Sequence, residues 1–387
     1  MQSRYFLMHR DVPVLSCRFE DGYLLQIDEV CNREHLPIGS VDMFHRLTLS
    51  SFSDWWSRRH VPKDRLNWKS VSDSLYNPGT NQLLLNSYGL NLSDSYWLRM
   101  EQDRICWDDV NFFHNDFCHE LSDVYLEQSR QKIKGQVIGP DSASNGSKIK
   151  AWKVINGKRC LIKKSGVLNQ EAYNEVCGSI LSKALHLDCV SYSLLVDDTG
   201  VYSICPCMLE ENEEMVSAYD LYRHFLPITG NGVQDFKNYK ALLLERGLSD
   251  VFKQLSGMVV VDYMMQNTDR YWTNFGIIRD AVSLEWKRLI PLFDFGDSLA
   301  FNSTVVKNSL QPGRLTGCFL ADDLALVDFV DVSGLSVCRE MVSNLFLSSQ
   351  IPVRSRRYAI VDLLHRNMDD VERLFLEKEV GYDCQFE

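Results

Sequence analysis

Two segments separated by a hairpin-length stretch constrain this 387-residue chain most: DYMMQNTDRYWTNFGII and PLFDFGDSL. The apolar run SGMVVVDYMM predicts a helix that ends in a loop holding Asn267, Asp269 and Asn274. NFGIIRDAVSLEWKRLIPLFDFG then reads as a strand pair whose far end delivers Asp294. If these polar residues act together, the fold must bring a helix-terminal loop and a hairpin end to one place. Taken singly, Asn267 and Asp269 could satisfy backbone donors at the helix end, and Asp294 could cap a strand.

Acting together, the set has the composition that phosphoryl transfer from ATP requires. Asp269 would orient an attacking hydroxyl and take its proton, while Asn274 and Asp294 would hold Mg2+ against the β- and γ-phosphates. Asp269-x-x-x-x-Asn274 has the spacing of a kinase catalytic loop, and Asp294-Phe295-Gly296 spells DFG. Each piece alone is a weak signal; loop, hairpin and DFG in this order form a specific one.

A phosphate-handling region is expected upstream. PDSASNGSKIKAW lacks the GxxxxGK[ST] pattern, but Ser142, Ser144, Asn145, Gly146 and Ser147 could offer N–H and hydroxyl groups to phosphates. A polar surface turn is the plain alternative. In LIKKSG, alternation puts Lys163 on the face of Leu161 and Arg159 and Lys164 on the other, and Lys163 is taken as the inward lysine. Glu171 and Glu175 follow at i, i+4 on one helix face, where one could pair with that lysine or both could be solvated. From Asn145 to Lys164 the chain carries basic residues and no acids, its one dense basic run.

Three textures divide the chain. Residues 1–130 read as an accessory region of short helices and loops around a small aromatic-rich core. Residues 131–210 are β-rich with one helix: KIKAWKVINGKRCLIKK turns at Asn156-Gly157. In QEAYNEVCGSILSKALHL, Val176, Ile180, Leu181 and Leu185 form the predicted apolar face. CVSYSLLVD and VYSICPCML read as two more strands. Residues 211–387 are mostly helical, closing on a helix patterned by Ile360, Leu363, Leu364, Met368, Val371, Leu374 and Phe375. Arg354, Arg356 and Arg357 before it read as an exposed helix start.

The net charge of −11 opposes non-specific nucleic-acid binding. No apolar run approaches the roughly 20 residues needed to span a bilayer. MQSRYFLMHRDVP is broken by charges, unlike a signal-peptide core. Twelve scattered cysteines without a CxxC pair fit reduced thiols in a cytoplasm.

NTDRYWTNFGI followed by PLFDFGDSL resembles the HipA-like kinases of bacterial toxin–antitoxin systems, whose pattern is N-x-D-R-H-x-x-N-x-G and then P-L-x-D-x-G-x-S-L. LIKKSG, QEAYNEV and the strand pair ending in YSICPCML stand in the family's order, and motif support covers about residues 85–300. The resemblance implies an α+β, bilobal protein-kinase-like fold: a β-rich N-lobe with one helix at 131–210, a helical C-lobe at 211–387 and an N-terminal α/β appendage. It implies a protein serine/threonine kinase using ATP and Mg2+, with Asp269 catalytic and Asn274 and Asp294 as metal ligands. Lys163 and Glu175 would serve the nucleotide phosphates, and the chain near Cys205 and Cys207 would meet adenine. Autophosphorylation at Ser142, Ser144 or Ser147 and an antitoxin partner belong to the same implication. The family's His after D-R is Tyr271 here. Two other readings stand beside this one: a pseudokinase or toxin subunit acting by partner binding, and a small-molecule or lipid kinase of the same fold.

Overall fold

The computed structural model describes residues 3–42, 44–75, 79–133, 146–227, 229–303, 305–306 and 330–383, with side chains of the final helix described to residue 375. The chain forms two compact units, each assembled from separate stretches. The first takes Met1–Lys164, Leu209–Pro227 and Ile277–Lys287; the second takes Ser165–Met208, Ile228–Gly276 and Arg288–Glu387. Groups of helices are interleaved along the chain with strands that pair antiparallel within residues 3–100, 150–164 and 193–206, an α+β arrangement.

The first unit opens on a sheet where short helices and loops were expected. Strands β1 (Ser3–His9), β2 (Val12–Glu20) and β3 (Tyr23–Val30) form a meander, and β4 (Tyr96–Met100) pairs antiparallel with β1 to give the order β3-β2-β1-β4. The turn between β2 and β3 is Asp21-Gly22, with φ of 50° and 81°. Asp-Gly is the residue pair that accepts two positive φ values and matches hairpin twist. A Cβ on Gly22 would also meet the Asn81 backbone at 2.5 Å. Leu7, Leu15, Phe19 and Leu98 pack from the sheet against Phe52, Trp55 and Trp56 of α1 (Leu49–Ser57). Thr48 starts α1 by accepting a hydrogen bond from the Ser51 N–H at 3.0 Å.

The short helices α2 (Trp68–Ser74), α3 (Thr80–Asn86) and α4 (His119–Tyr125) follow in the same unit. The hairpin β5 (Lys150–Ile155) and β6 (Lys158–Lys164) turns where the sequence indicated, with Asn156 and Gly157 at φ of 49° and 74°.

In the second unit, α5 (Gln170–Ala184) precedes the hairpin β7 (Ser193–Asp197) and β8 (Gly200–Pro206). The buried stripe of α5 runs through Tyr173, Cys177 and Leu181, while Val176 and Ile180 are half-buried. This rotates the predicted face, because Gln170, Asn174 and Glu175 are also buried. A hydrophobic pattern cannot show polar side chains that acquire partners only in the fold.

A second sheet has the order β11-β10-β9, from β9 (Glu213–Ser217), β10 (Gly276–Asp280) and β11 (Trp286–Leu289). Within the first unit it is tied to the larger sheet by buried charges. Glu214 of β9 accepts from Arg279 Nε of β10 at 2.5 Å and lies 3.0 Å from His9 Nε2 of β1, and Arg279 donates to the Tyr96 hydroxyl of β4 at 3.0 Å. Helix α6 (Ala218–Phe225) belongs to this unit.

Helices α7 (Gly232–Glu245), α8 (Val251–Met265), α9 (Leu335–Leu347) and α10 (Arg354–Asp383) complete the second unit. Ile360, Leu363, Leu364, Met368, Val371 and Phe375 of α10 are buried, as their period predicts. Arg356 is buried as well, against the expectation of an exposed helix start. Among the described residues no helix is long and apolar enough to cross a membrane.

Candidate phosphoryl-transfer site

Helix α8 is apolar almost throughout, and one acid, Asp262, is buried in it. Gln266 ends the helix in a left-handed conformation, φ 46°, and the loop begins. Arg270 turns back from that loop to Asp262, with Nε at 2.8 Å from one carboxylate oxygen and an Nη at 3.1 Å from the other. Burial opposes the charged guanidinium, but the facing carboxylate outweighs it and raises the Arg270 pKa. Breaking such a pair by removing one partner costs about 3–5 kcal/mol.

The other arm of Arg270 organises the loop. Its Nη1 donates to the Asn274 carbonyl at 2.9 Å and to the Phe293 carbonyl at 2.7 Å. One nitrogen thus brings the end of the loop and the residue before Asp294 together. Asn267 Nδ2 donates to Asp262 at 2.8 Å and to the Asp294 carbonyl at 3.4 Å. The Thr268 N–H and hydroxyl both reach the Asp297 carbonyl, at 3.2 and 3.1 Å, and the Leu299 N–H reaches the Met265 carbonyl at 2.9 Å. Loop and DFG segment are therefore sewn together along their length.

On that buried frame Asp269, Asn274 and Asp294 are half-buried. The Asp269 N–H donates to Asn267 Oδ1 at 3.0 Å. Asn274 Nδ2 donates to the Asp269 carbonyl at 2.8 Å, and since a carbonyl only accepts, the other end of the amide is the oxygen. That oxygen faces the exposed Thr273 hydroxyl at 3.3 Å.

Asp294 has φ 64°, and Leu299 and Ala300 both have φ 54°. A side chain in this region costs roughly 1–2 kcal/mol, so the segment holds only where its surroundings impose it. Glu175 supplies one constraint: buried in α5, its Oε2 accepts from the Phe295 N–H at 2.8 Å. Asn174 Nδ2 donates to the carbonyls of Gly296 and Ser298, both at 2.8 Å. Phe295 is fully buried against α5 at Gly178, where a Cβ would run into its ring. Arg270 lies over the Phe295 ring, 5.4 Å from its centre.

The second unit therefore brings Asp269, Asn274, Asp294 and Glu175 into one bonded assembly. Cys205, buried in β8, and Cys207, half-buried just after it, belong to the same unit. Lys163, Gly146 and Ser147 belong to the first. Lys163 lies opposite Lys150 in the β5–β6 register, and Lys164 is engaged by Glu127 at 3.0 Å. Arg65 Nε donates to the Gly146 carbonyl at 3.0 Å, and the Leu66 N–H to that of Ser147 at 3.3 Å. Ser142, Ser144 and Asn145 lie outside the described residues.

Arg270 and Asp262 received no role from the sequence. The available signal was an acid inside the apolar run VVVDYMM, just before an arginine in the loop. Tyr271 is 37% exposed, and Trp272 and Phe275 supply the loop's aromatic packing against Tyr239, at ring distances of 5.5 and 5.6 Å.

Asn274 and Asp294 offer oxygen, the donor type Mg2+ takes. Among the described residues no group of three or more His, Cys, Asp or Glu side chains could hold a metal ion. A pair of side chains completed by phosphate oxygens fits a metal that arrives with its nucleotide.

No family model matches the sequence, and no curated protein matches it. Solved structures similar to this chain include two kinase-related ones. One is the proinflammatory kinase CtkA of Helicobacter pylori, at 14% identity and a TM-score of 0.45, covering 59% of this chain and 95% of that one. The other is in the HipA, HipB and operator DNA complex of the Shewanella oneidensis toxin–antitoxin system, at 10% identity and a TM-score of 0.47, covering 79% and 81%.

Proposed function

We propose that this chain is an ATP- and Mg2+-dependent protein serine/threonine kinase with a bilobal, protein-kinase-like fold. Residues 131–210 would form the N-lobe, 211–387 the C-lobe and 1–130 an accessory region. The observation that carries the reading is the joining of the Asp269–Asn274 loop to the Asp294 segment through Arg270 and Asn267.

In the reaction, the Asp269 carboxylate orients a serine or threonine hydroxyl and accepts its proton as oxygen attacks the γ-phosphorus. The bond from that phosphorus to the β,γ-bridging oxygen breaks, and ADP leaves with the electron pair. Magnesium, when bound, offsets negative charge on the phosphates. Asn274 Oδ1 and the Asp294 carboxylate are its ligands from this chain. Lys163 pairs with the α- and β-phosphates, Gly146 allows close backbone approach, and the main chain from Cys205 to Cys207 meets adenine. Catalysis is then positioning and electrostatics on a pre-built frame.

A protein acceptor is favoured over a lipid, because FNSTVVKNSLQPGRLTG after the DFG segment is polar in sequence. The motif resemblance supports two further parts of the reading, autophosphorylation at Ser142, Ser144 or Ser147 and an antitoxin partner, and the scattered cysteines support a cytoplasmic setting. Incubation with labelled ATP, Mg2+ and cell lysate tests the whole. Wild-type protein should label itself or another protein, and Asp269→Ala and Asp294→Ala should each lower transfer by at least a thousandfold. A folded wild-type protein that transfers no phosphate would sink the proposal.

A further inference from the structure

Arg356 stands at the start of α10, far along the chain from every residue assigned above. It is 5% exposed, yet its hydrogen bonds go to neutral oxygens. Nε donates to Gln170 Oε1 at 2.7 Å, Nη1 to the Ser303 carbonyl at 2.5 Å and Nη2 to the Ala300 carbonyl at 2.7 Å. Gln170 in turn donates through Nε2 to the Leu299 carbonyl at 3.0 Å and the Ser298 carbonyl at 3.4 Å. Burial disfavours the charged guanidinium and outweighs the attraction of the Glu171 carboxylate, and an apolar side chain would fill the space as well. What an apolar side chain cannot do is hold carbonyls at residues 300 and 303 and an amide on α5 in one rigid fork.

The segment those bonds hold needs holding. Leu299 and Ala300 sit in the left-handed region, as does Asp294 a few residues before them. Asn174 and Glu175 fix residues 295–298, and Arg356 with Gln170 fixes residues 298–303. We propose that Arg356, acting through Gln170 and the carbonyls of Ala300 and Ser303, is a positioning residue that keeps Asp294 in its strained conformation before nucleotide arrives. The metal role of Asp294 rests on the function proposed above; the clamp itself does not.

Arg356→Met removes the fork at similar volume, and Arg356→Lys restores one donor group. Leu363→Ala, in the core of the same helix, supplies a comparison for lost stability alone. Two readouts separate the clamp from general weakening. Amide hydrogen exchange at Leu299, Phe301 and Ser303 should rise at least tenfold in Arg356→Met, beyond any rise in Leu363→Ala. The Mg2+ concentration for half-maximal ATP turnover should rise about tenfold in Arg356→Met, fall back in part in Arg356→Lys, and stay at the wild-type value in Leu363→Ala. Unchanged exchange in Arg356→Met overturns the proposal, as does raised exchange in an active protein whose Mg2+ requirement has not moved. A wild-type protein without turnover, in which Arg356→Met still raises exchange, defeats the kinase reading and leaves the clamp standing.

Discussion

The first unit buries Arg279 against Glu214, and the second buries Arg270 against Asp262. The first pair is closed within two sheets. Glu214 also meets the Ser95 N–H and the His9 ring, and Arg279 ends on a tyrosine hydroxyl. Every partner lies on a strand or beside one, so the charges fasten β1 and β4 to β9 and β10. The second pair is open at one side: Arg270 spends its remaining donor on two loop carbonyls that carry no regular structure of their own. The same chemistry therefore joins sheets in one unit and shapes a candidate reaction loop in the other. Strong perturbation of a buried acid is a poor guide between them. Glu214 is driven to about 2, against the opposing effect of burial, by Arg279 and His9, at a sheet junction with no assigned chemistry.

The difference can be broken by substitution. Arg270→Met leaves Asp262 buried and unpaired and should lower unfolding free energy by about 3–5 kcal/mol in urea titrations, with loss of phosphate transfer. Replacing both partners, Asp262→Leu with Arg270→Met, should recover much of the stability and none of the transfer, because the loop carbonyls still lack their donor. Recovery of transfer in that double variant would show that the loop does not depend on Arg270. Glu214→Gln in the first unit should cost about 2–4 kcal/mol and leave transfer per folded molecule unchanged.

The pH dependence sharpens the same contrast. The folded value of Glu214 lies below its ordinary 4.5, so the unfolded chain binds the proton more readily. The stability this provides, about 3 kcal/mol, is present above pH 4.5 and lost as pH falls towards 2. Acid unfolding of Glu214→Gln should lack that increment relative to wild type. His35 adds a smaller effect: burial and the neighbouring His9 ring hold it below 6.5. The unfolded chain therefore takes up that proton first, and stability declines as pH drops through 6.5. The smallest expected change is Tyr271→His, since the ring is exposed: stability should stay within about 0.5 kcal/mol. Equal transfer in Tyr271→His and wild type would remove the chief sequence argument for a pseudokinase.

Asn156-Gly157, the period of α10 and the loop motif were legible because each is written locally, in turn chemistry or in side-chain spacing. Asp21-Gly22 carried an equally local signal for the β2–β3 hairpin. Aromatic and polar residues scattered around it led instead to an expectation of loops. Arg356 could not be placed by any local rule. Its cluster of arginines looked solvated, and its burial depends on the convergence of residues 170, 300 and 303 on its guanidinium.

What the order of residues determined unaided was chemistry and local geometry: which loop carries one acid between two asparagines, where the hairpins turn, and which face of the last helix is apolar. Tertiary structure alone decided which charges go inside. A buried charge is stable only when its partners are buried with it: Asp262 and Arg270 find each other eight residues apart, whereas Arg356 depends on Gln170, Ala300 and Ser303, far away in the chain.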